Sequence, residues 1–161
     1  MKRFVWTGVA IVGALLVETG LSYLVAEPGR YLDPFLLVVV YCALRGGETH
    51  GMLAGVAAGW VQDVHFGGEV AGLSAFSKLL VGFAVGAAGS HFLLTSTSAR
   101  ALVLLLATAV DALLVLWMTS VFAINVAPMN PVTLASRASL TAVVGGVLFA
   151  LIDRRLQQTL A

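Results

Sequence analysis

Five charged residues lie within long apolar stretches of the sequence: Glu18, Asp63, Lys78, Asp111 and Arg137. A charge at the centre of a membrane-spanning helix costs roughly 2.5–3.5 kcal/mol on the insertion scale, so each one needs a partner or a function. Three carboxylates and two cations can pair with each other, line an outward-facing pocket or bind a polar group of a partner protein. We expect structural pairing for all five in preference to catalysis, with the pocket or partner site as the sharper hypothesis.

The charges Asp63 and Lys78 flank a turn at Phe66-Gly67-Gly68. A hairpin there would bring both side chains to a similar depth on adjacent antiparallel helices. We therefore expect these two residues to pair with each other. Two simpler alternatives remain: Asp63 can reach interfacial water from a helix end, and Arg137 can extend to the lipid headgroups.

No enzyme signature is present in the sequence. Ser74 and Ser77 precede Lys78, but a Ser–Lys dyad requires a defined geometry and an oxyanion site, which spacing alone does not supply. The single cysteine, Cys42, excludes an intramolecular disulfide. The three histidines lie at different helix ends without zinc-site spacing. We expect no catalysis, no cofactor, no metal and no nucleic acid.

The composition is that of a membrane protein. Of 161 residues, 60% are hydrophobic and 11% charged, and the mean hydropathy is +0.99. About 20 apolar residues are needed to cross a bilayer core. The sequence predicts one domain, residues 1–161, folded as an all-α bundle of six transmembrane helices. Their expected ranges are about 4–25, 33–44, 50–65, 72–93, 100–124 and 132–152, the second and third being short.

The basic residues predict the orientation of this bundle. With six helices both termini lie on one side, and that side holds six of the nine basic residues: Lys2, Arg3, Arg45, Arg100, Arg154 and Arg155. The opposite loops hold Arg30 alone. Lysine and arginine accumulate in cytoplasmic loops, so both termini are expected to be cytoplasmic.

Glycines recur at four-residue spacing in two of the predicted helices. Gly51, Gly55 and Gly59 share one helix face, and Gly82 and Gly86 form a similar face on the next helix. Small residues at this spacing let a second backbone approach closely in lipid. These glycines are predicted to form a helix-packing face, either inside the bundle or against a partner.

The stretch "LDPFLLVVVYCALRGGETHGMLAGVAAGWVQDVHFGGEVAGLSAFSKLLVGFAVG" resembles the rod shape-determining protein MreD family. The resemblance covers nearly the whole chain in size and helix count. Two positions depart from the family pattern: the segment begins Asp-Pro where Pro-Asp is commoner, and Phe83 stands where tyrosine is common. The matching positions are Asp33, Pro34, Gly51, Gly55, Gly59, Asp63, Gly67, Gly68, Gly72, Leu73, Gly82 and Phe83.

This resemblance implies a non-enzymatic scaffold or regulator of the bacterial cell-elongation complex in the inner membrane. Its expected partners are MreC directly, and RodA, a class B penicillin-binding protein and MreB indirectly, together with membrane lipid; a homodimer is left open. The fold is expected to be similar to the substrate-binding subunits of energy-coupling-factor transporters. A subunit of such a vitamin transporter is therefore the alternative function.

Overall fold

A computed structural model describes residues 2–23, 32–66, 72–91, 97–121 and 131–159. Side chains are described for residues 4–23, 32–66, 72–90, 99–121 and 135–149. The prediction of six helices is confirmed. They are α1 (Lys2–Ser22), α2 (Pro34–Gly46), α3 (Glu48–Phe66), α4 (Leu73–His91), α5 (Thr97–Val121) and α6 (Pro131–Thr159). Gly67 and Gly68 of the predicted turn lie outside the described residues.

Local sequence explains how α2 begins and ends. Asp33 caps its N-terminus, where Oδ1 accepts a hydrogen bond of 2.9 Å from the backbone N–H of Leu36. Pro34 occupies the first helical position, where its missing N–H leaves no hydrogen bond unmade. Gly47 then ends the helix with a φ of 78°, a conformation that suits glycine. The helix has 13 residues and is short, as expected.

The next helix is longer than predicted. α3 starts one residue after Gly47 and has 19 residues, because the polar segment Glu48-Thr49-His50 forms its first turn. At about 1.5 Å per residue it is about 28 Å long, close to the thickness of a bilayer core. Two helices were expected to be short, and of these only α2 is short.

The short helix α2 is the centre of the bundle, and it contacts all five other helices. The other helices surround it in the order α1, α3, α4, α5 and α6, each packed against the next. Within the described ranges, no Cα atom of α1 lies within 8 Å of a Cα atom of α6, so the ring of helix backbones is open between them. Phe35, Leu36, Val39 and Val40 of α2 are fully buried.

The closest packing in the bundle is between α3 and α4. A Cβ added to Gly51 or to Gly82 would overlap the backbone carbonyl of the other. A Cβ added to Gly55 would overlap the backbone carbonyl of Lys78, and one added to Gly86 would lie 2.6 Å from the Cα of Glu48. The glycines of these two helices thus face each other inside the chain.

The outer surface of the bundle is apolar. Three helical segments of the described chain are long and apolar enough to cross a membrane: Phe4–Ser22, Leu73–Ser90 and Ala99–Val121. The described apolar parts of α2 and α6, Pro34–Gly46 and Ala135–Phe149, are shorter. Large hydrophobic side chains point outward, including Trp6, Trp60 and Trp117 with exposed fractions of 73%, 57% and 64%. Together with the family assignment below, these features indicate a membrane protein.

Candidate functional site

Four charged side chains meet in the bundle interior. They come from the start of α2 and from α4, α5 and α6, and we call them the charge cluster: Asp33, Lys78, Asp111 and Arg137. Their exposed fractions are 0%, 2%, 1% and 9%. Removing one partner from such a buried set is strongly destabilising, because it leaves an uncompensated charge in a low-dielectric interior.

Asp33 lies at the centre of the charge cluster. Its Oδ2 accepts a hydrogen bond of 2.7 Å from Nη2 of Arg137 and lies 2.9 Å from Nζ of Lys78. Its Oδ1 caps α2 through the N–H of Leu36. A single carboxylate therefore fixes the start of α2 and joins α2 to α4 and α6.

Asp111 completes the charge cluster at longer range. Its Oδ1 is 3.8 Å from Nζ of Lys78, and its Oδ2 is 3.6 Å from Nη2 of Arg137. Ser77 donates a hydrogen bond of 2.7 Å to Oδ1 of Asp111, which ties α4 to α5. Two cations thus share two carboxylates, one at close range and one at longer range.

Glu18 of α1 lies beside the charge cluster. It is 3% exposed, and it interacts electrostatically with Asp33, Lys78 and Arg137. In the part of the chain that the structure describes, its Oε2 has no hydrogen-bond partner, and neither have Nε of Arg137 and Oγ1 of Thr141. With all five groups ionised, three carboxylates face two cations, so the site carries a formal charge of −1.

Asp63 lies apart from the charge cluster, at the N-terminus of α4. Its Oδ2 accepts hydrogen bonds from the N–H groups of Gly72 at 2.9 Å and Ala75 at 3.3 Å, and its Oδ1 accepts one from Ser74 at 3.2 Å. A carboxylate at this position accepts hydrogen bonds from N–H groups that have no partner within the helix. Its negative charge also interacts favourably with the positive end of the helix dipole.

The expected pairing of Asp63 with Lys78 is therefore wrong. Asp63 stays at the first turn of α4, whereas Lys78 extends towards α2 and α5. Arg137 does not extend to the headgroups either, because it is buried and bonded to Asp33. Of the five predicted residues, the structure brings Lys78, Asp111 and Arg137 together and puts Glu18 next to them.

Asp33 was not among the charged residues singled out from the sequence, because it precedes the apolar run of α2, so its place in the charge cluster was missed. A signal was available in the six-helix topology. Asp33 at the start of the second helix lies at the same end of the bundle as Glu18 near the end of the first helix and Arg137 near the start of the sixth. Because Asp-Pro is typical of a helix start, the capping role of one carboxylate oxygen hides the role of the other.

Two threonine–histidine contacts attach α1 to α3. Oγ1 of Thr7 is 3.0 Å from Nε2 of His50, and Oγ1 of Thr19 is 3.3 Å from Nε2 of His65. The first contact is part-buried and also lies 3.6 Å from the thiol of Cys42, whereas the second is exposed. These histidines bridge helices near opposite ends of the bundle.

Comparison with known proteins gives one finding. Residues 3–158 match the family described as rod shape-determining protein MreD. No curated protein and no solved structure matches the chain. The family match includes the whole charge cluster and all six helices except the first residue of α1 and the last residue of α6.

Proposed function

Because the chain belongs to the family of rod shape-determining protein MreD, we propose that it is a non-enzymatic membrane scaffold of the bacterial cell-elongation complex. In this role it binds MreC and supports lateral-wall peptidoglycan synthesis by RodA and a class B penicillin-binding protein, in connection with MreB. The match over residues 3–158 is the observation that carries the proposal.

The charge cluster supports a scaffolding role. Its side chains are buried and engaged with each other, and they connect four helices that come from distant parts of the chain. Such a set holds helices in one register, which a protein needs if it presents a fixed surface to partners. We therefore propose that the charged residues influence partner binding indirectly, because they fix the arrangement of the helices whose outer faces contact the partner. These residues are Glu18, Asp63, Lys78, Asp111 and Arg137.

The protein is proposed to reside in the inner membrane with both termini in the cytoplasm. The distribution of basic residues supports this orientation, since Lys2, Arg3, Arg45 and Arg100 belong to the same end of the six-helix topology. The charge cluster then lies in the outer half of the bilayer, near the periplasmic end of the bundle.

Partner contacts are proposed to use the outward apolar faces of the helices. The glycines of α3 and α4 pack against the backbone of the opposite helix, so they are not available as a packing surface for a second protein. Exposed large side chains remain on α3, α5 and α6, among them Trp60, Leu113 and Val143 with exposed fractions of 57%, 59% and 64%.

The test is affinity purification of the tagged full-length protein from native membranes, with photo-crosslinking residues at Trp60, Leu113 or Val143. Recovery of an MreC-like protein, crosslinked at one or more of these exposed positions, is the expected result. The matched control is a crosslinker at Ala58, which is 0% exposed and should trap no partner. Recovery of transporter ATPase subunits in place of MreC would overturn the proposal in favour of a vitamin-uptake subunit.

A further inference from the structure

The ring of helices around α2 is open between α1 and α6 within the described ranges. We call this opening the seam. Val38, Tyr41 and Arg45 lie on one face of α2, because they are spaced by three and four residues. Val38 and Tyr41 are half-buried and Arg45 is exposed, whereas most of α2 is buried. This face is the floor of the seam.

Contacts on both sides place this floor between α1 and α6. Val38 packs against a cluster formed by residues of α1, α2 and α3, and the thiol of Cys42 lies 3.6 Å from Oγ1 of Thr7 of α1. The ring of Tyr41 lies 5.3 Å from the ring of Phe149 of α6. Beside this floor, α2 thus contacts α6 through Tyr41 and α1 through Cys42, whereas the backbones of α1 and α6 do not approach each other within the described ranges.

The walls of the seam are apolar. On α6, Gly146 faces Ala101 of α5, while Val144 and Leu148 lie on the opposite flank of the helix, with exposed fractions of 39% and 44%. On α1, the contact of Thr19 with His65 marks the α3 side, and Ala10 lies on the opposite side of the helix.

One end of the seam is basic. Arg45 lies in the last turn of α2, and its guanidinium carbon lies 5.2 Å from the centre of the Tyr41 ring. The contacts of Cys42 with Thr7 and of Tyr41 with Phe149 show which parts of α1 and α6 lie at the same height as the end of α2. One turn further along, α1 begins with Lys2-Arg3 and α6 passes through Asp153-Arg154-Arg155. Five basic residues and one acidic residue therefore belong to the three helix ends that border the seam.

We propose that the seam binds an anionic phospholipid, with its phosphate at the Arg45 end and an acyl chain along Val38 and Tyr41. Basic pockets between membrane helices are suited to anionic headgroups. The length also fits, since α2 is about 20 Å long at 1.5 Å per residue, and one leaflet of a bilayer core is about 15 Å thick.

Charge distinguishes this occupant from a protein helix. A membrane-spanning helix of a partner tends to carry lysine and arginine at its cytoplasmic end. In the orientation proposed above, that end would meet the basic end of the seam and be repelled. A second copy of this chain would bring the same basic end. The phosphate of a lipid brings the opposite charge.

The experiment uses the full-length protein in nanodiscs of equimolar phosphatidylcholine and phosphatidylglycerol, followed by gentle delipidation and native mass spectrometry. The wild-type protein should retain one phosphatidylglycerol in preference to phosphatidylcholine. Arg45→Gln should weaken that retention about fivefold, as expected from roughly 1 kcal/mol per basic residue at an anionic membrane surface. Leu148→Trp should weaken it by filling the seam without changing a charge.

The matched control is Arg100→Gln, which removes a cation at the same end of the bundle but on α5, across the bundle from α1. Its retention of phosphatidylglycerol should equal that of the wild type, and melting temperatures of all variants verify folding. The proposal is overturned by equal losses in Arg45→Gln and Arg100→Gln, by equal retention of both lipids, or by a co-purified protein helix that crosslinks to position 148. Each of these outcomes leaves the proposed scaffold role standing, since that role is tested by recovery of an MreC-like protein.

Discussion

Helix α4 is held on two sides by opposite means. Towards α3 it presents glycines, so the two backbones touch and almost no side chain intervenes. Towards α2, α5 and α6 it extends Ser77 and Lys78 into the charge cluster. The glycine contact requires that no side-chain atoms lie between the two backbones. The charge cluster requires that each charged side chain keeps its oppositely charged partners. The two sides should therefore respond to different substitutions.

The largest effect is expected from Asp33→Asn. Asparagine keeps the helix cap, because it is as good a capping residue as aspartate. It removes, however, the close carboxylate partner of Lys78 and Arg137 at 2.9 and 2.7 Å. Breaking a buried ion pair costs about 3–5 kcal/mol. The free energy of unfolding, measured by titration with a denaturing detergent, should fall by that amount.

Asp111→Asn is the matched variant within the charge cluster. Its ionic contacts are longer, at 3.6 and 3.8 Å, and Ser77 can still donate to the asparagine oxygen. The loss should be clearly smaller than for Asp33→Asn. Equal losses would mean that Asp33 holds no special place and that the charge cluster acts only through its total charge.

On the other side of α4, Gly55→Ala adds one methyl group. Its Cβ would overlap the backbone carbonyl of Lys78, and backbone cannot move aside as a flexible side chain can. Overpacking of this kind costs about 1–3 kcal/mol, which should appear as a lower melting temperature. Gly89→Ala on α4 is the control, because its Cβ would meet its nearest atom at an ordinary 3.5 Å. If both alanines are tolerated alike, α3 and α4 do not pack through their backbones.

The two sides of α4 also differed in how far the sequence predicted them. The glycine spacing is a local, periodic signal, and it pointed to a close helix approach, although it did not identify α4 as the neighbour of α3. The ion pairs join residues up to 104 positions apart. Periodicity cannot choose among three carboxylates for Lys78, so the nearest one in sequence, Asp63, was preferred and Asp33 was missed.

The number of helices was predictable because Arg45-Gly46-Gly47-Glu48 contains a helix-ending glycine and charges that interrupt the apolar sequence. A six-helix topology also puts six of the nine basic residues on one side of the membrane. The length of α3 was not, because a polar first turn resembles a loop when its neighbours are unknown. The central place of α2 was also beyond the sequence, since its short apolar run fits a surface helix as well as a core one.

Asp63→Ala should have an intermediate effect at the junction of the two sides. Alanine removes the acceptor of three backbone N–H groups at the start of α4. Loss of an N-cap costs about 0.5–2 kcal/mol. Hydrogen exchange at Gly72, Ser74 and Ala75 should accelerate, while exchange near Lys78 stays slow. Fast exchange throughout α4 would show that Asp63 supports the whole helix and that the two sides are not independent.

The smallest effects are expected at α1, which is joined to α3 by neither glycines nor an ion pair in the described residues. Thr19→Val removes an exposed hydrogen bond to His65, so the free energy of unfolding should change by less than about 0.5 kcal/mol. Thr7→Val removes a part-buried hydrogen bond to His50 and should cost about 0.5–1.5 kcal/mol. The difference between these variants measures how much more the part-buried contact, which also lies close to the thiol of Cys42, contributes to stability than the exposed one. If Thr19→Val instead matches Asp33→Asn, α1 is held mainly at the Glu18 end, and the contrast between the two sides of α4 does not describe how the bundle is stabilised.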